Sequence, residues 1–218
     1  MNSVVHQLAD YSRLLAAVDE QVKAEPAWRD AVSATLGGDD GARAHLAVMH
    51  QPYLSFILAG RKTVESRFSR NQVAPYRQVR GGDLLLFKLL SGPVTAIAVV
   101  AEVDCYVLDA ATWDVLRRRF TRGLAAEDEA FWSDRCDARY ATLMRLATTR
   151  AIEPITVDKR DRRGWVVLGS RGPSLHPDQL ALHAVSTDST AYRGTWLAMG
   201  PSQAVAPPSH DQLRLELE

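Results

Sequence analysis

The chain has 218 residues, 26 basic and 26 acidic side chains, 46% apolar residues and two cysteines, which places it among ordinary globular proteins and excludes fibrous, disordered and disulfide-built classes. It has no apolar run near the ~20 residues that cross a bilayer, and Asp10 stands close behind a start that lacks a basic end and an apolar segment, so a cytoplasmic protein is expected. Cys105 and Cys136 form no CxxC pair and no zinc spacing with the six histidines, which predicts two packed thiols in a reducing compartment and no metal centre.

Val4, Leu8, Tyr11, Leu15, Val18 and Val22 recur at alternating intervals of four and three, the stripe of an amphipathic helix. Pro26 suits the first turn of a second helix, anchored by Trp28, Val32 and Leu36 and stopped by Gly37-Gly38. After a linker over 37–41, residues 45–50 alternate as a strand, and Pro52 opens a short helix to Leu58 that Gly60 ends. Residues 62–67 read as a strand with Thr63, Glu65 and Arg67 on one face and Lys62 at its mouth.

Apolar runs over 83–90 and 94–108, joined by Ser91-Gly92-Pro93, predict an antiparallel hairpin. In the second run Ile97, Val99, Ala101, Val103 and Cys105 are expected to face inward, with Glu102 and Asp104 opposite. Asp109 caps a helix carrying Trp113, Leu116 and Phe120. A longer helix is predicted through Trp132, Cys136, Tyr140, Leu143 and Ala147, with Glu127-Asp128-Glu129 at its start complementing the exposed N–H groups. Strands over 152–157 and 164–168, joined by a basic turn, complete an α+β fold: a small closed antiparallel sheet, or barrel, with helices packed outside. Past Arg171 the signal weakens: 178–185 reads as helix or strand, 192–199 as strand and 206–209 as loop, and Leu213, Leu215 and Leu217 alternate as an edge strand or a frayed end. The organisation expected is an N-terminal helical extension over 1–43, a domain over 44–171 and a C-terminal extension over 172–218.

The balanced total hides an asymmetry between these parts. Residues 1–43 carry four basic and seven acidic groups, 44–171 carry twenty and fourteen, and 172–218 carry two and five. In the basic middle, Arg61, Lys62, Arg67, Arg70, Arg77 and Arg80 face one acid, Glu65, and Lys159-Arg160-Asp161-Arg162-Arg163 adds a second cluster. Such density holds a polyanion by neutralising its phosphates, or else forms a solvated arginine-rich surface. No GxSxG, Walker or dinucleotide glycine pattern follows a strand, which excludes serine-elbow hydrolysis, nucleotide-triphosphate hydrolysis and hydride transfer, and no cofactor is expected. His45 and His50 flank the first strand and read as hydrogen-bonded structural residues, His50 gaining interest from its neighbours.

Those neighbours are Met49-His50-Gln51-Pro52, a short helix, and Gly60-Arg61-Lys62-Thr63-Val64-Glu65-Ser66-Arg67, followed far along by Arg162-Arg163-Gly164-Trp165-Val166-Val167-Leu168. The GxKxxExR pattern at Gly60, Lys62, Glu65 and Arg67, the MHQP strand end and the closing Gly-Trp strand resemble the ASCH domain of the PUA-like superfamily, in its coactivator-type branch. The resemblance implies a small β-barrel with a cleft beside the motif that binds RNA, DNA or single nucleosides. In that cleft Lys62 or Arg67 would hold a phosphate, Glu65 would accept from an amino-bearing base edge, and His50 and Gln51 would read or position the base. Tyr53, Tyr76 and Trp165 are candidates for stacking, with Arg61, Arg70, Arg77, Arg160, Arg162 and Arg163 steering phosphates. The bland alternatives are an ion pair between Glu65 and Arg67 that fixes the strand and a core role for Tyr53. An enzymatic alternative comes from ASCH proteins that hydrolyse the amide of 4-acetylcytidine or cleave RNA: Lys62 would activate the nucleophile and a carboxylate, Glu65 or the distant Glu127 or Glu129, would handle the proton. The amidohydrolase pattern has threonine three residues after the lysine, where this chain has Glu65.

Overall fold

The structure, a computed structural model, describes residues 2–36, 42–157, 159 and 162–168. The linker over 37–41, the steering role of Arg160 and the readings of 172–218 lie outside the described residues. In chain order the elements are α1 (Asn2–Val22), α2 (Pro26–Leu36), β1 (Ala44–Met49), α3 (Tyr53–Leu58), β2 (Val64–Ser69), β3 (Leu84–Leu89), β4 (Val94–Val107), α4 (Ala110–Leu124), α5 (Glu129–Ser133), β5 (Tyr140–Ile155) and β6 (Trp165–Leu168). No helix among the described residues is long and apolar enough to cross a membrane.

The six strands form one curled sheet in the order β2-β5-β4-β3-β1-β6, flanked by helices, an α+β half-barrel of the kind expected. One ladder departs from the antiparallel plan: β1 runs parallel to β3, with Leu46 opposite Leu86, so the sheet is mixed. Its middle is buried on both faces, which is why β1 and β3 read as continuous apolar runs. On one face Leu46, Leu84, Leu86 and Ile97 meet Tyr11, Leu14, Val18 and Val22 of α1 and Trp28 and Val32 of α2 in one cluster. On the other, Leu85, Phe87, Ala96, Ala98 and Val100 meet Leu54 and Ile57 of α3, with Val79 and Trp165. A third cluster joins Val64 and Leu143 to Leu116, Phe120 and Leu124 of α4 and Phe131 and Trp132 of α5.

Three sequence readings are corrected. The long helix through Tyr140 and Ala147 is instead the short α5 followed by β5, the longest strand, held between β2 and β4. Trp132 lies in α5 and Cys136 in the turn after it, so the stripe of four-residue intervals spans two elements, and within β5 the β-branched Thr142, Thr148, Thr149 and Ile152 favour the pleated state. In β4 the expected inward set does not survive past Val99, where ladder irregularities at 99/100 and 100/102 break the alternation. Ala101 is exposed and so is Cys105; Cys136 is exposed too, so neither thiol is packed. Of the two closing strands, the first is the end of β5, and the second, β6, pairs with β1 at the far side of the sheet.

Candidate functional site

The GxKxxExR segment builds the site. Gly60, at φ 69°, ends α3 in a left-handed turn open to it without strain and brings Lys62 to the mouth of β2. Alternation then puts Glu65 and Arg67 on one face of β2, and the three charged groups meet. Lys62 Nζ lies 3.4 Å from Glu65 Oε2 and Arg67 Nε lies 3.0 Å from Glu65 Oε1. The latter is an ion contact in which the Nε–H is out of line for a hydrogen bond.

Their burial differs. Lys62 and Glu65 are each 3% exposed, and Lys62 Nζ also donates to Val64 O at 2.6 Å and lies 5.9 Å from the Tyr53 ring centroid. Burial holds the Lys62 ammonium below its usual value; Glu65 draws it back up, while Arg67 and Arg135 push it further down. Arg67 keeps 22% of its side chain exposed and reaches across the opening of the curled sheet. Its Nη2 donates to Val48 O at 2.9 Å, its Nη1 to Gly164 O at 3.3 Å, and its guanidinium lies 5.1 Å from the Trp165 ring. One side chain of β2 thus ties together the end of β1 and the residue before β6.

The remaining expected residues divide. His50 and Gln51 are exposed just past β1, with Gln51 Oε1 accepting from Ser55 Oγ at 2.8 Å. Tyr53 is half-buried, packed edge-on to Phe56 and Phe131. Trp165, 4% exposed, donates its Nε1–H to His45 Nδ1 at 3.2 Å, and Arg67 covers its ring. Tyr76 is buried against Tyr140 at 5.0 Å. Trp165 and Tyr76 therefore serve the core in this structure and offer no free face to a base. Arg61, Arg70, Arg77, Arg162 and Arg163 are exposed; Arg61 lies over Phe56 and Arg70 pairs with Asp137. Glu129 pairs with Arg117, and Asp128 caps α5 by accepting from Ala130 N. His45 is the structural residue expected: because the indole only donates, its Nδ1 accepts and its Nε2–H is left to donate to Asp83 Oδ2 at 2.9 Å.

Sequence reasoning missed Arg135 and Phe68. A 330 Å³ cleft is lined by Ser66, Arg67, Phe68, Asp134 and Arg135. Arg135 stacks on Phe131, 3.9 Å from its centroid, and donates to Phe131 O at 2.6 Å. Phe68 stacks against Trp113 with rings 5.4 Å apart. The β2–β5 pairing, extended by the Leu146 N–H to Thr63 O bond, sets the alternation of β2, so the main-chain groups of Ser66 and Phe68 point away from β5, toward this cleft. The signal that conceals Arg135 is the helical reading of 128–147, which places it on a helix instead of opposite β2.

Comparison with known proteins agrees with the motif. The family model "ASCH domain" matches residues 48–145. No curated protein matches the chain. Among solved structures, the chain is similar to an ASCH protein from Zymomonas mobilis at 15% identity and TM-score 0.46, covering 66% of this chain and 96% of that one. It is also similar to the N-terminal domain of McrB from Staphylothermus marinus at 14% identity and TM-score 0.32, covering 50% of this chain and 74% of that one.

Proposed function

We propose, with the ASCH-domain match over 48–145 as premise, that the chain binds nucleic acid, RNA foremost, at the open end of the sheet beside Arg67. On the same reading the MHQP end of β1 assigns it to the coactivator-type branch, working in the cytoplasm without a cofactor. The observation that carries the proposal is the surplus of positive charge around Glu65, where Lys62, Arg67 and Arg135 converge under a cleft open to solvent. A surplus of this kind draws an anion, and a phosphate at Arg67 and Arg135 neutralises it.

In this arrangement Lys62 and Glu65 do not touch the ligand first: they hold Arg67 in place from below. The aromatic partner for a base is Phe68, which lines the cleft, in the role first expected of Trp165. His50 and Gln51 supply exposed donors and acceptors past β1, while Arg61, Arg77, Arg162 and Arg163 steer the chain of phosphates toward the opening. Fluorescence anisotropy with single-stranded RNA tests this. Affinity should fall steeply with salt, and Arg67→Ala and Arg135→Ala should each weaken binding about tenfold, a truncated charge-assisted contact. Absent or salt-independent binding rejects the proposal.

A second reading, amide hydrolysis of an N-acylated cytidine or cleavage of RNA, draws on one observation: a buried Lys62 whose pKa is depressed is closer to the neutral amine that base chemistry needs. Against it, Nζ is already committed to Val64 O and shielded from solvent. Incubation with 4-acetylcytidine decides: release of cytidine that Lys62→Ala abolishes would replace the binding reading with the enzymatic one.

A further inference from the structure

Beyond the first cleft, β2 and the segment leading into β5 continue side by side, tied by the Arg139 N–H to Ser69 O bond. A second cleft of 380 Å³ opens there, lined by Arg70, Asn71, Asp137 and Arg139. Its composition repeats that of the first. Each has one arginine from the β2 side, Arg67 then Arg70, one from the segment opposite, Arg135 then Arg139, and an aspartate, Asp134 then Asp137. Each is at the small end of the range for ligand clefts, about 300 Å³ upward. Two like clefts in succession suit a polymer with a repeating charge better than one small molecule.

We propose that this pair of clefts is a phosphate tract outside the GxKxxExR motif, in which Arg70 and Arg139 take the phosphate next to the one held by Arg67 and Arg135. The ligand is the sugar-phosphate backbone of a polynucleotide; the tract rests on the nucleic-acid reading above and adds a site to it. Arg139 is exposed. Arg70 is paired with Asp137 at the surface, an ion pair weak enough in water for a phosphate to displace. The tract is read by charge and spacing alone, so its contacts add affinity without base preference.

The experiment compares a labelled oligouridylate dodecamer with the dinucleotide UpU on the full chain. The double variant Arg70→Ala with Arg139→Ala should bind the dodecamer about tenfold more weakly and flatten the salt slope by about 0.7, one phosphate on a single strand, while UpU affinity stays at the wild-type value. Lys23→Ala with Arg29→Ala, exposed groups on the α1–α2 side, removes equal charge and should leave the slope unchanged. A wild-type slope in the tract variant, or the same flattening in the control, overturns the tract. If Arg67→Ala still weakens dodecamer binding about tenfold, the broader reading stands while the tract falls; if the wild-type chain binds no dodecamer, both fall. Circular dichroism melting checks that each variant remains folded.

Discussion

Glu65 is the residue on which the motif turns, because it is the carboxylate between a buried ammonium and a half-buried guanidinium. Removing one member of a buried ion pair leaves the other charge without compensation, so Glu65→Ala should lose about 3–5 kcal/mol in urea unfolding with an unchanged m value. A Glu65 whose main business was ligand contact would cost far less. Lys62 adds a pH signature. Its folded pKa is depressed from 10.5, so between the folded value and 10.5 the unfolded chain binds more protons than the folded one, and stability rises with pH across that window. Below it the burial penalty is present in full; above 10.5 it is gone. Lys62→Met should therefore remove the part of the alkaline rise in stability that Lys62 causes, read by urea midpoints measured at successive pH values. That the motif groups meet was legible from period two on β2, whereas which of them is reachable was not, since the depth of a side chain depends on what packs over it.

At the scale of elements, helix ends and turns were the readable features and strand partners the unreadable ones. Asp109 caps α4 as its position suggests, accepting from Thr112 N at 2.7 Å, and Asp109→Ala should lower stability by about 1 kcal/mol. Pro26, Gly60 and the Ser91-Gly92-Pro93 turn likewise stand where local chemistry puts them, because each acts through its own backbone. The 132–147 stretch failed for the opposite reason: its apolar stripe runs across two elements, α5 and β5, and only the flanking ladders with β2 and β4 make the second of them a strand. Neither the parallel partnership of β1 with β3 nor the pairing of β6 with β1 has a local cause in the sequence. Asp83 shows what joins these distant pieces, accepting from Arg43 N, Arg80 N and His45 Nε2 at 2.8, 2.8 and 2.9 Å. Asp83→Ala leaves three donors without that partner and should cost at least about 3 kcal/mol, measured by thermal unfolding. Gly81 is tight for a different reason: a Cβ there would sit 2.6 Å from Ala101 O, so Gly81→Ala should destabilise by about 1–3 kcal/mol at the irregular part of β4.

For the molecule as a whole, the N-terminal helices belong to the sheet they cover. Tyr11, Leu14, Val18, Val22, Trp28 and Val32 share one apolar cluster with Leu46, Leu84, Leu86 and Ile97. A chain beginning at residue 44 would bare that face, and it should aggregate or unfold in gel filtration. Among the described residues, the opposite opening is fastened by the side chain of Arg67. Among those residues no backbone ladder runs between β2 and β6, and the gap is spanned by Arg67 to Val48 O and Gly164 O. A clasp of that kind opens one residue at a time, so the fraying of the sheet is set by how long a guanidinium stays on two carbonyls. In hydrogen–deuterium exchange, Arg67→Lys, which keeps the charge but loses the fork, should speed exchange in Trp165–Leu168 while the β3–β4 hairpin keeps its protection. On the proposed reading, a phosphate that draws Arg67 off those carbonyls also sets the rhythm at which the far margin of the sheet breathes.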